Sequence, residues 1–440
     1  MTKRKKTAVL IVCAVIIAAL AAFAAYKCFL NPYRGTSGGA SETLALDTIL
    51  TGNEAGEDVD YVMKMLRSRH PAWLEKDNAR VEATEARYLA EMEAINASED
   101  GVSVLEEWRA VSRILHELGD GHTQVWASPA ASLYIDDVGQ LRQYGAPVKI
   151  NGEPTEDVFE RFCELFQYET VEYAKAIFEA KVLANKTYLT WIGVDTSYGV
   201  VFTFDMASGQ RDCEYKFVTL KNVAGRGVSG SGEPWEYMID KDKTIGVFTL
   251  RSCEYNDQYK AAVRAFFSLV AESGADEIIV DLRGNGGGSS LCADEFIRYL
   301  DVDGYYGWPS HVRYGPILIK NKKGFNSNKK LGEGFSGDVY VLTDTRTFSA
   351  AMDFAMLIED NGLGELVGEP SGNLPDSYGD LLTFAAPNSG LSFSVSYKRW
   401  FRIDETKAGL PVEPDWPCAS AEAMDKAYEL IDEKRARSGA

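Results

Sequence analysis

At 440 residues, 45% hydrophobic and 25% charged, the chain has room for two or three domains and the composition of a folded globular protein. Its formal charge is −19, and the basic residues before position 40 (Lys3, Arg4, Lys5, Lys6, Lys27, Arg34) have no acid among them, so the rest sets 40 basic against 65 acidic residues, a net −25. A body that acidic repels phosphate backbones and argues against nucleic acid as a partner.

Residues 1–30 open with four basic residues and then carry no charge over the 20 residues from Thr7 to Tyr26. As a helix that run reaches about 30 Å, enough to cross a bilayer's hydrocarbon. It is also longer than a usual secretory signal core. The expectation is a single-pass anchor in the plasma membrane, with the basic flank cytoplasmic and the body extracytoplasmic. The alternative is a signal cut near Ala22 and Ala24, which would release a secreted protein.

Residues 31–57, with "NPYRGTSGGASETL", read as a Gly/Ser-rich tether. Residues 58–126 read as an N-terminal helical domain. In it Val104, Leu105, Trp108, Val111, Leu115 and Leu118 fall at three- and four-residue steps and make one apolar stripe. Gly119 is a helix stop, so "LGDGHTQV" sets His122 on a turn that leads into a short strand. Residues 127–222 read as a small α+β module. "PVKINGEPTEDVFERF" gives strand, Asn-Gly turn and helix, and a hairpin is expected around Ala207-Ser208-Gly209. Residues 223–440 form the core, entered through the glycine-rich "NVAGRGVSGSGEP". "TIGVFTL", "DEIIVDL", "DVYVLTD" and "GELVGE" alternate there with helical stretches, the pattern of a mostly parallel sheet. "LSFSVSYKRWF" alternates as a half-buried strand.

Seven cysteines are scattered without a CxxC pair or metal-ligand spacing, and there are only four histidines. No metal and no cofactor is expected. "VDLRGNGGGSS", residues 280–290, places a glycine cluster at a strand's end. A dinucleotide fingerprint fails on Ser289 in its third glycine place, and a P-loop fails for want of its lysine. An oxyanion hole also needs backbone N–H groups free of side chains. That reading demands a nucleophile, and "VLTDTRTFSAAMDFA" supplies Ser349 at the first turn of an alanine-rich helix. The N–H of Ala350 then points the same way, and Gly287 offers the second donor. The plain alternative for Ser349 is a capping serine.

The succession "DLRGNGGG", "TDTRTFSAAMDFA", "GELVGEPSGN" resembles the tail-specific (C-terminal processing) protease family. That family includes the tricorn core and the repeats of interphotoreceptor retinoid-binding protein. The likeness covers about residues 244–417, thins over 58–125 and fades in the middle module. It implies an α/β, ClpP/crotonase-like β-superhelix of βαβ units, with an N-terminal helical domain and a degenerate PDZ-like module. In the better-known branch a lysine is the base, but Leu374 stands at the matching position. The tricorn-like branch takes a histidine from far upstream, which points to His122. His70 and His311 have no partner motif, and His116, outside the centre of the apolar stripe, reads as a surface or packing histidine. An acid near the C-terminus orients the imidazole in that branch. Glu405 is the first choice here, with Asp404 and Glu413 behind it and Asp353 or Asp120 as substitutes. The expected activity is hydrolysis of peptide bonds in a peptide or protein substrate through an acyl-enzyme on Ser349. A non-catalytic peptide- or apolar-ligand-binding protein on the same fold is the alternative, and oligomeric state is open.

Overall fold

The computed structural model describes residues 3–38, 41–76, 78–225, 232–240, 242 and 244–438. The middle of the glycine-rich entry to the core, residues 226–231, lies outside them. The fold is mixed α/β. At its centre six strands run in the order Trp235–Asp240, Ile245–Leu250, Glu277–Asp281, Asp338–Thr343, Glu365–Gly368, Trp416–Pro417. The first pair is antiparallel and every later pair parallel, so each parallel step needs a crossover. The helices Asp257–Ser273, Leu291–Ile297 and Ala350–Asp360 lie in those crossovers.

Period-two alternation sorts the strand side chains onto two faces. Val280 and Val341 join Phe266, Phe296 and Phe354 of the crossover helices in one fully buried cluster. Ile279, Tyr340 and Leu342 point the other way, onto Ala427 and Ile431 of the helix Ala423–Ser438. Both faces are covered, which explains why these strands read as continuous apolar runs.

A second sheet carries Ile317–Asn321, Ser310–Tyr314, Ser392–Trp400 and Tyr378–Ala385 in that order. The short strand Val125–Trp126 pairs on its inner member, Val125 against Phe393. Trp108, buried on the helix Val104–His116, donates its indole N–H to the Val125 carbonyl at 3.2 Å. The apolar stripe therefore packs and also pins the strand that follows His122. The helix Gly52–Arg69 beside it begins with a capping box between Thr51 and Glu54. In the middle module the hairpin Val200–Met206 with Gly209–Tyr215 forms, as does the Asn151–Gly152 turn before the helix Thr155–Leu165. Near the N-terminus the helix Lys3–Ala25 runs into Tyr26–Leu30. Its window Ile11–Leu30, of mean hydropathy 2.3, is the one span among the described residues long and apolar enough to cross a membrane.

Candidate active site

The strand Asp338–Thr343 ends in a tight turn that is bonded to the glycine loop. Asp344 Oδ1 accepts the amides of Gly284 and Arg346, both at 2.9 Å, and the Phe348 amide donates to the Asn285 carbonyl at 3.0 Å. Ser349 follows with φ 55° and ψ −127°, and its hydroxyl makes no capping bond to the helix behind it. A capping serine has extended dihedrals and accepts an amide from the first turn; Ser349 does neither. Holding a residue with a Cβ in that region costs about 1–3 kcal/mol and needs a fixed surrounding. Asn373, fully buried, supplies it by accepting the Ser349 amide at 2.7 Å. At this strand-to-helix turn Ser349 is half-buried and borders open space.

That space is a cavity of about 740 Å³ lined in part by His122, Gly286, Gly288, Phe348, Ser349 and Ala350. Gly287 passes behind the serine so closely that a Cβ there would meet Ser349 Cβ at 2.7 Å. Its N–H is donated to Asn285 Oδ1 at 2.9 Å, which corrects the expectation that Gly287 offers a free amide to the cavity. The neighbouring amide of Gly288 and that of Ala350 donate to no described residue. Both residues line the cavity.

His122 arrives from the other side. Its carbonyl accepts the Ser394 hydroxyl at 2.6 Å, and its amide donates to Asp120 Oδ1 at 2.9 Å. The ring packs on Phe348, the residue before the serine, with centroids 4.9 Å apart. Among the described residues no hydrogen bond joins the ring to Ser349, and Nδ1 is sealed from solvent without a partner. Catalytic hydrogen bonds are often long before substrate arrives. Burial pushes the imidazole below its ordinary value, opposed by the charges of Asp120 and Asp380, so it is neutral at pH 7 and able to take a proton.

Two carboxylates stand 4.0 Å from Nδ1, those of Asp120 and Glu169. Burial alone would raise Asp120. The hydrogen bond and charge of His70, then His122 and the Thr123 hydroxyl, outweigh it and hold the carboxyl well below the usual range. Glu169 accepts the Gly121 and Leu374 amides at 3.2 and 2.9 Å. Burial and the Asp120 charge still push it up to about 8. The ligand atoms of Asp120, His122 and Glu169 lie within 4.8 Å of one another, yet the carboxylate oxygens already face N–H and O–H donors.

Glu405 is not brought to this site. It is exposed in the short turn Glu405–Lys407, with Asp404 turned onto Thr406 and Glu413 also exposed. The cause is Arg402, fully buried, which fastens the segment to Glu359 and Asp360 at the far end of the serine's helix. His70, which carries no motif, is fully buried and bonded to Asp120 at 3.2 Å. Asn373 could be suspected only from its place in "EPSGN". Glu169, in the middle module, leaves no signal in the sequence.

Residues 244–418 match the model of peptidase family S41. The fold is similar to that of mature CPAF solved with lactacystin, at TM-score 0.61 and 12% identity, covering 87% of this chain and 97% of that one. A second structure of mature CPAF matches at the same TM-score and identity, over 87% and 96%. Residues 244–418 thus carry the likeness to a serine-peptidase family, which supports a peptidase of the tail-specific type, and the likeness to CPAF is one of fold.

Proposed function

We propose that the protein is a membrane-tethered, extracytoplasmic serine peptidase in which Ser349 is the nucleophile and His122 the base. The observation that carries this reading is the strained turn at Ser349, which borders a cavity that His122 also lines. His122 Nε2 takes the hydroxyl proton as Oγ attacks a peptide carbonyl. The negative oxygen is met by the N–H groups of Gly288 and Ala350. The imidazolium returns its proton to the departing amine, and a water then repeats the sequence to release the acid. Asp120, ionised beside Nδ1, stabilises the imidazolium in the role first assigned to Glu405. Gly287 provides the clearance for its neighbour's amide. The helix-flanked parallel sheet is read as part of a β-superhelix. The middle module, a degenerate PDZ-like unit on this reading, gates the cavity, since Tyr173, Lys181 and Tyr188 line it.

Membrane tethering rests on the apolar window Ile11–Leu30 and the basic cluster Lys3–Lys6 before it. The test of the chemistry is fluorophosphonate labelling of the full chain in detergent, read by peptide mapping. Labelling is expected on Ser349, absent in Ser349→Ala, and at least about a hundredfold slower in His122→Ala. Full labelling of Ser349→Ala, or none of the wild type, would overturn it; the latter would favour a non-catalytic binding protein.

A further inference from the structure

Asp353 stands in the catalytic cavity with no partner. It lies one turn beyond Ser349 on the helix Ala350–Asp360 and lines the same space. Among the described residues its carboxylate makes no hydrogen bond and no ion pair, and it is not one of the polar groups sealed inside the protein. The neighbouring acids are all answered. Asp380 is paired with Lys398 at 2.6 Å, Asp294 accepts the Tyr305 hydroxyl, and Asp120 and Glu169 are bonded as described above. The ammonium group that lines the cavity, that of Lys181, has Arg346 as its charged neighbour.

Charges withdrawn from water are paired, and an acid left alone gives up its charge instead. Burial, with the charges of Asp380 and Asp294, pushes the Asp353 carboxyl up to about 8. A cation entering the cavity would restore the charge and release the proton to solvent. An acidic group would form no ion pair there and would push the Asp353 carboxyl higher still. Four residues of helix span about 6 Å, a distance that a lysine or arginine side chain covers from a residue whose carbonyl sits at Ser349.

We propose that Asp353 selects substrates carrying a cationic group, an ammonium or guanidinium, at the residue on the acyl side of the scissile bond. This rests on Ser349 being the nucleophile. The cation has two sources, a basic side chain or the free α-amine of a substrate's N-terminus, and the side chain fits the span better.

The test uses three diphenyl phosphonate probes on the full chain: acetyl-lysine, acetyl-norleucine and norleucine with its amine free. Inactivation rates are read as the mass of the Ser349 adduct, with fluorophosphonate labelling alongside. The lysine probe is expected to react at least about tenfold faster than acetyl-norleucine. In Asp353→Asn the lysine rate should fall to within about twofold of the acetyl-norleucine rate, a ratio that does not depend on how fast Ser349 itself reacts. A gain seen only with the free-amine probe, and lost in Asp353→Asn, would replace the side chain by the substrate terminus. Equal lysine and acetyl-norleucine rates in a wild type that labels normally, or a lysine preference that survives in Asp353→Asn, would overturn the proposal. Loss of fluorophosphonate labelling in the wild type would instead break the serine-peptidase reading beneath it.

Discussion

Ser349 shows why a single residue's dihedrals outweigh its neighbourhood in sequence. A serine before an alanine-rich helix is ordinarily a cap, and only φ 55° with the Asn373 clamp separates this one from that role. His122 is governed in the same way by its contacts. Burial lowers its proton affinity, and the Asp120 charge partly restores it. Removing that charge in Asp120→Asn takes away an attraction that raises the imidazole, so the acid limb of Ser349 labelling against pH should move to lower pH. Its plateau should drop by at least about tenfold as the imidazolium loses its counter-charge. Glu405→Gln should leave both unchanged. A stopped-flow pH profile checks this, and an unmoved limb in Asp120→Asn would contradict the assignment.

At the scale of elements, the N-terminal helices are held to the core by buried acids as well as by apolar contact. Asp58, on Gly52–Arg69, accepts the amides of Asn388 and Ser389 at 2.9 and 2.7 Å, and Glu107, on Val104–His116, accepts the Ser389 hydroxyl at 2.8 Å. Burial, then the Asp58 charge, pushes Glu107 from 4.5 up to about 9. The unfolded chain gives up that proton above about 4.5 while the folded chain keeps it to about 9, so stability falls as pH rises between those values. Glu107→Gln imitates the protonated acid and should therefore gain stability over the wild type. The gain should be small at pH 5 and a few kcal/mol at pH 8. Thermal melts of both proteins at the two pH values measure it, and a gain independent of pH would refute the linkage. The apolar stripe of Val104–His116 was legible from three- and four-residue spacing, because burial of one helix face demands it. The buried acids were not, since an acid in sequence looks the same whether it meets water or a second carboxylate.

For the whole molecule the division is between an apolar N-terminal span and an acidic body. The full chain should sediment with membranes and resist release by high salt, while residues 31–440 should be soluble and label on Ser349 at an unchanged rate. Salt release of the full chain would count against a spanning helix, because surface charge attraction is screened at high ionic strength and hydrocarbon insertion is not. The two halves of the cavity are likewise a whole-molecule property. Val125 pairs with Phe393, and Ser394 bonds both the Gln124 amide and the His122 carbonyl. Those contacts carry a loop from the N-terminal half to the serine's side of the core.

What the amino-acid order determined by itself was local and periodic: the parallel core from its apolar runs, the glycine loop at a strand's end, Ser349 at a helix start, His122 after a helix stop. Each is dictated by neighbours within a few positions. Which acid faces the imidazole, which glycine keeps its amide free and which carboxylate is left unpaired were decided only by tertiary structure. Arg402 draws the segment of Glu405 away, Asn285 takes the Gly287 amide, and folding sets Asp353 at the cavity wall. Such pairings depend on distances between chain-remote groups in a low-dielectric interior, and sequence spacing carries no record of them.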